Sequence, residues 1–343
     1  MRIAIIGGGG WGLALSKLLC ENSHAVLVWE HDPANLKTLL ATHSNPLLLK
    51  GIELPKEVSF CGDFAAVADF SPQLIILATP TQFLRSTLQN IPPVTRSRIW
   101  TNPDLLAVVN VAKGIEENSL LTISQILSQE LPSALHPLIC SLSGPSHAEE
   151  VARRIPTAVV IAGSDEVLLK RLQEVFSNAY FRVYRSNDLL GVEIGGAVKN
   201  IIAIAAGIIT GLSYGDNTIG ALLTRGLVEI QRFGVKLGAR PETFLGLSGI
   251  GDLITTATSP HSRNRHVGEQ IGRGQKLPQI IATMNTVAEG VATTRSVFQL
   301  SQKIRVEMPI VEQIHQVLYH DREPRQAITE LMTRELKAEG LAT

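Results

Sequence analysis

The sequence is poor in cysteine and carries no net charge. Cys20, Cys61 and Cys140 are the only three in 343 residues. They are odd in number and far apart, so they form neither a disulfide framework nor a metal-binding spacing, and a reducing cytoplasm fits this usage. Lys+Arg and Asp+Glu balance at 31 each. Nucleic-acid proteins usually show a basic excess, so that class is set aside. No internal repeat or low-complexity linker divides the chain. No signal peptide is expected, because MRIAIIGGGG runs straight into glycine without a small-residue cleavage region.

What is present is apolar. Hydrophobic residues make up 45%, enough for a sizeable core, and the length favours two domains over one. One stretch is organised differently from the rest: VEIGGAVKNIIAIAAGIITGL, 192–212. Between Glu193 and Asp216 its single charge is Lys199, beside Asn200. A membrane span needs about twenty apolar residues, but a lysine and an asparagine near the middle speak against one here. A charge in so apolar a helix is costly unless it is paired or acts on a ligand. Gly195 and Gly196 lie one helical turn before Lys199 on the same face, leaving that face bare for a ligand or a backbone.

At the N-terminus, Ile3 to Ile6 predict a buried strand. Gly7-Gly8-Gly9-Gly10-Trp11-Gly12 follows, and Leu13, Ala14, Leu15, Leu18 and Leu19 then recur at helical spacing. Strand, G-x-G-x-x-G turn and helix in that order are the context of a dinucleotide fingerprint. Gly7 allows the tight turn, Gly9 a close approach of backbone to pyrophosphate, and Gly12 the packing of helix on strand; the helix N-terminus would receive the phosphates. A second strand, Ala25 to Trp29, ends in Glu30-His31-Asp32. An acidic residue about twenty positions past the fingerprint bonds the adenosine ribose and favours NAD. Glu30 has that place, His31 could stack on adenine or meet a 2′-phosphate, and a solvated strand end reads equally well, so NAD or NADP stays open.

Further apolar strands are expected at 74–78, 108–112, 138–142 and 157–162, with an edge strand at 181–184 and a short one near Val58. Alternation with helices predicts a parallel sheet, whose ligands bind beyond the carboxyl ends of its strands. Thr79, Lys113 and Ser146 fall at those ends. Lys113 is a candidate anion or carbonyl ligand, or simply an exposed strand-end lysine. Ser146, in Gly144-Pro145-Ser146-His147-Ala148, could cap a helix; His147 is expected at the surface. From Asn187 onward strand patterns largely stop. LSGIGDL at 247–253 predicts a glycine loop carrying Asp252. Ser262, Arg263 and Asn264 stand together at a predicted helix start, where they suit a phosphate or a capped, solvated terminus. The expected domains are 1–187, a Rossmann-like α/β dinucleotide-binding domain, and 188–343, an all-helical substrate and catalytic domain.

These residues resemble a known family. GGGGWG at 7–12, AKGIE at 112–116, SGPSHAEE at 143–150, VEIGGAVKNIIAIAAGI at 192–208, GIGDLITTATSPHSRNRHVG at 249–268, AEG at 288–290 and EMPIVEQIHQVLY at 307–319 are similar to the bacterial-type NAD(P)-dependent sn-glycerol-3-phosphate dehydrogenases. They occur in the family's order over nearly the whole chain. The resemblance implies a Rossmann-like domain followed by a helical domain of the 6-phosphogluconate-dehydrogenase kind, with the active site between them. It implies reversible hydride transfer between NAD(P)H and dihydroxyacetone phosphate, acting on a CH–OH group, with no metal. The product, sn-glycerol 3-phosphate, is the backbone of glycerophospholipids.

By the same resemblance, Lys199 falls on the catalytic lysine, with Lys113 as a second cation and Asp252 orienting the lysine or a substrate hydroxyl. Lys113, Gly144, Ser146, Lys199, Asp252, Ser262, Arg263 and Asn264 fall on substrate-contacting positions. Gly10, Trp11, His31, Lys113, Ala148, Arg263, Val287 and Glu289 fall on cofactor-contacting positions, joining Gly7, Gly9 and Gly12 of the turn. The family also implies a cytoplasmic homodimer. Two rivals are weighed: a related two-domain 3-hydroxyacid or 6-phosphogluconate-type dehydrogenase, and a non-catalytic dinucleotide sensor. The 262–264 cluster with Lys113 disfavours the first; a sensor has no reason to keep Lys113, Lys199 and Asp252.

Overall fold

The computed structural model describes residues 1–284, 286–336 and 338–339. Its backbone divides into two units: Met1–Lys113 with Thr122–Val192, and Gly114–Leu121 with Glu193–Thr343. The segment after Lys113, counted with the N-terminal domain in the sequence reading, thus groups with the helical unit.

The first unit is built on one eight-stranded sheet. Its strands are β1 (Arg2–Ile6), β2 (Ala25–Trp29), β3 (Ser59–Cys61), β4 (Leu74–Leu77), β5 (Ala107–Asn110), β6 (Ile139–Ser143), β7 (Thr157–Ala162) and β8 (Phe181–Ser186). They lie in the order β3-β2-β1-β4-β5-β6-β7-β8. Alternate side chains of each strand face opposite sides. Ile3, Ile5, Val26 and Val28 therefore join one core, and Ala4, Ile6, Leu27 and Trp29 the other. Helices cover both faces, and this explains why the strands read as continuous apolar runs. β8 lies at an edge, as its pattern predicted.

The sheet is not wholly parallel: β6 and β7 run antiparallel, while every other pairing is parallel. The chain leaving β6 makes only the short helix Ala148–Ala152 and returns alongside. A parallel crossover would have to carry it back to the sheet's far end. β5 also stops earlier than its apolar run. Asn110 turns the chain aside, its Nδ2 donating to the Ala112 carbonyl at 3.1 Å and its Oδ1 accepting from the Ala112 N–H at 2.9 Å. Strand order reverses between β1 and β4, the switch point at which such sheets bind ligands.

The second unit is helical. Asp188, just before it, accepts the Gly191 N–H at 3.0 Å and starts the helix Leu189–Gly211. By length and composition this helix could cross a membrane, but its apolar stretch is wholly buried inside the protein. It is a core helix. Helices Asp216–Lys236, Asp252–Thr258, Arg263–Gly272, Glu289–Ile304 and Pro309–Tyr319 pack around it or follow in order. Gly207 and Gly211, and Gly268 and Gly272, repeat at one-turn spacing on two of these helices. A Cβ on Gly207 would lie 2.0 Å from the Arg265 carbonyl oxygen, and one on Gly268 1.9 Å from that of Ile204. Backbone thus meets backbone, and the Arg263–Gly272 helix is seated directly on the lysine-bearing helix.

Candidate active site

In the first unit, the glycine turn lies at the switch point. Gly7 has φ +121, and a Cβ there would meet Ala78 at 2.9 Å, so only glycine fits. Its N–H donates to the Trp29 carbonyl at 3.0 Å. Thr79, at the end of β4, is spent on structure: its hydroxyl donates to the Ile6 carbonyl at 3.1 Å. Helix Gly10–Glu21 starts from Gly9 with no side-chain cap and no acid in its first turn. Its first N–H groups are therefore left for an anion. Past β5, Lys113 Nζ donates to the Gly144 carbonyl at 2.8 Å, and Ser146 Oγ donates to the same oxygen at 3.0 Å. Gly144 has φ +139, and a Cβ there would lie 3.0 Å from the Val159 Cα, so only glycine fits. Ala148 begins the next helix beside Gly10.

In the second unit, Lys199 is not a lone charge. Its Nζ donates to Asp252 Oδ1 at 2.8 Å and to Thr256 Oγ1 at 2.5 Å, with Thr256 in turn donating to Asp252 at 3.2 Å. The lysine and aspartate side chains are only 6% and 3% exposed. A buried charge is tolerated when paired and hydrogen-bonded in this way. Asp252 reaches the lysine because Gly195 lets the Ser248–Gly249 backbone close in; a Cβ there would lie 2.5 Å from the Ser248 oxygen. Asn200, the next residue, accepts from Asn264 Nδ2 at 2.9 Å, and Asn264 Oδ1 accepts the Gly290 N–H at 2.9 Å. One side chain thus ties the starts of two helices to the middle of the lysine-bearing one.

Two family models match: NAD-dependent glycerol-3-phosphate dehydrogenase N-terminus over residues 2–168, and the C-terminus of the same family over 188–329. A relative from Geobacter sp. (strain M21), named glycerol-3-phosphate dehydrogenase (NAD(P)+), is 46% identical over 340 residues, 99% of each chain. The chain belongs to this family. It is an NAD(P)-dependent dehydrogenase. The crystal structure of glycerol-3-phosphate dehydrogenase from Coxiella burnetii is 33% identical, with TM-score 0.90 over 97% of this chain and 99% of that one. D-mandelate dehydrogenase in complex with NADH, at 15% identity and TM-score 0.60 over 94% and 98%, shares the fold alone.

The family's cofactor fits the residues present. A Cβ on Gly9 would meet nothing within 4 Å, so the turn is open where a pyrophosphate would approach. Gly12 is closed instead, its Cβ position 2.0 Å from the Gly7 oxygen. Trp11 is half-buried and His31 exposed. Burial raises the Glu30 carboxyl above its ordinary value, against backbone hydrogen bonds from Asp32 and His31 that pull it down.

The three residues of the phosphate cluster differ in what already holds them. Ser262 is the N-cap of helix Arg263–Gly272, its Oγ accepting the Arg265 N–H at 3.1 Å. Asn264 is held as described. Arg263 is exposed, and its guanidinium has no partner among the described residues. Val287 is exposed, and Glu289 opens the helix Glu289–Ile304. His147 is half-buried as the residue before helix Ala148–Ala152, not the surface residue expected. Asp252 is the first residue of a helix, not part of a loop. The Leu247–Gly251 turn before it is irregular at Gly249 (φ −100, ψ −105). Thr256 was missed; it lies one helical turn after Asp252 on the same face, a signal available once 252–258 is read as helix. The cysteines offer no nucleophile: burial pushes Cys61 up to about 11 and Cys140 to about 12.

Proposed function

We propose that the chain reversibly reduces dihydroxyacetone phosphate to sn-glycerol 3-phosphate, with Lys199 as the general acid and base. The Gly7–Gly12 turn would hold the pyrophosphate of NAD(P)H, whose reduced nicotinamide would supply the hydride to the ketone carbon. Lys199 carries a proton on Nζ and passes it to the ketone oxygen as negative charge gathers there; in the oxidative direction the amine takes it back from the hydroxyl. Asp252 and Thr256 fix the Nζ in place. Lys113 adds a second positive charge toward the carbonyl. Arg263 grips the substrate phosphate, so binding far from the reacting carbon holds that carbon in place. Ser262 keeps its O–H donor and Asn264 its second Nδ2 hydrogen for the same phosphate.

The observation that carries this reading is the buried Lys199–Asp252 pair on a helix with no other charge near its centre. Product supplied as glycerophospholipid backbone, in the cytoplasm and by a homodimer, completes the reading. Three free cysteines support a reducing compartment. The test is NAD(P)H oxidation with dihydroxyacetone phosphate. The wild type is expected to turn over with at least one cofactor, and Lys199→Ala to lose about 10²–10⁴-fold in kcat. A wild type inactive with both cofactors sinks the reading; an undiminished variant removes Lys199 from its role.

A further inference from the structure

The end of β2 carries a charge pattern that the proposed reaction leaves unexplained. Glu30 is 7% exposed. Its Oε1 accepts the Asp32 N–H at 2.8 Å, and its Oε2 lies 2.3 Å from where a Cβ on Gly8 would be. The carboxylate therefore lies directly against the glycine turn, in the space a side chain at position 8 would fill. Asp32 is also fixed, accepting the Asn35 N–H at 2.8 Å at the start of helix Pro33–Thr42. Between them stands His31, exposed, its ring 6.0 Å from that of Trp29. No lysine or arginine occurs from Glu30 to Leu36.

In this fold the adenosine ribose lies beside the second strand's end, where a carboxylate accepts hydrogen bonds from its hydroxyls. A 2′-phosphate would bring further negative charge to two held carboxylates and would find no guanidinium fork. We propose that Glu30 is a specificity-determining residue that makes this chain favour NAD(H) over NADP(H), by accepting from the ribose diol and repelling a 2′-phosphate. This rests on the dehydrogenase reading of the glycine turn, and goes beyond it by naming the cofactor.

The test is calorimetric titration of the purified full chain with NADH and with NADPH, without substrate. Wild type is expected to bind NADH about 100-fold more tightly, the scale of a like-charge mismatch in a recognition site. Glu30→Gln keeps the shape and an acceptor for the Asp32 N–H. It should narrow the ratio to about tenfold or less, chiefly by tightening NADPH. Glu30→Ser should narrow it likewise. Equal affinities in the wild type, or tighter NADPH, overturn the proposal, and that comparison needs no variant to fold. A ratio unchanged in both variants takes the role from Glu30. Binding of neither cofactor would instead bring down the dehydrogenase reading itself.

Discussion

Replacing Asp252 by alanine isolates what the ion pair does for Lys199. The lysine Nζ is 2.8 Å from the carboxylate, and the two side chains are 6% and 3% exposed. Removing one partner of such a pair leaves the other charge buried and costs about 3–5 kcal/mol. The lysine can escape by giving up its proton. From a free-lysine value of about 10.4, doing so at pH 7 costs about 4.6 kcal/mol, 1.36 kcal/mol for each of 3.4 units. Loss of the carboxylate therefore favours the amine, and increasingly so as pH rises. Two results follow. Urea titrations should place the variant well below wild type at pH 7, with the gap closing by up to about 1.4 kcal/mol per unit as pH rises, because the unfolded variant then binds more protons than the folded one. Initial rates of ketone reduction, which need the ammonium, should fall about 10²–10⁴-fold and fall further with rising pH, while alcohol oxidation, which needs the amine, suffers less. A variant with wild-type rates in both directions and a wild-type pH profile would refute the assignment of Asp252 as the partner that holds the lysine's proton.

Three further outcomes are expected. Gly9→Ala, whose Cβ meets nothing within 4 Å on an extended backbone, should melt within a few degrees of wild type yet bind NADH far more weakly. Gly12→Ala, whose Cβ would lie 2.0 Å from the Gly7 oxygen, should lose about 1–3 kcal/mol of stability in urea. Glu229 is fully buried, and burial lifts it from 4.5 to about 8 although the Ile310 N–H at 2.8 Å and the Val311 N–H at 3.4 Å donate to it. A carboxyl raised on folding stabilises fully below the unfolded value and loses that contribution as pH climbs through the folded one. Wild-type stability should therefore fall between about pH 4.5 and 8, by no more than about 5 kcal/mol, whereas Glu229→Gln should lack this slope; parallel curves for the two proteins would show that Glu229 is ionised in the fold.

What could be read from the sequence was whatever a single element carries within itself. The glycine turn announced itself because strand period, G-x-G-x-x-G and helix period follow one another. Lys199 stood out because a lone charge in an apolar helix demands an explanation. The strand at 25–29 matched its observed limits. What could not be read was the choice of partners between elements. Apolar composition is the same for a parallel and an antiparallel strand, so the reversed pairing of β6 and β7 left no trace. LSGIGDL has the glycines of a loop, and nothing in it shows that helix begins at Asp252, which is why Thr256 was overlooked. The 262–264 cluster is the clearest case. A hydroxyl that caps a helix and one that binds phosphate are the same residue, and an amide that ties helices together looks like one that touches a ligand. The structure shows which of their atoms are already taken and which donors remain. Ser262 Oγ has accepted the Arg265 N–H, and Asn264 has used its Oδ1 on Gly290 and its Nδ2 on Asn200. Those bonds leave the Ser262 O–H and the second Nδ2 hydrogen of Asn264 as donors toward a phosphate. Arg263, exposed at the first position of that helix, brings the largest set of donors to the cluster, and with the helix's N-terminal N–H groups it offers an anion a fork that the two shorter side chains can only supplement.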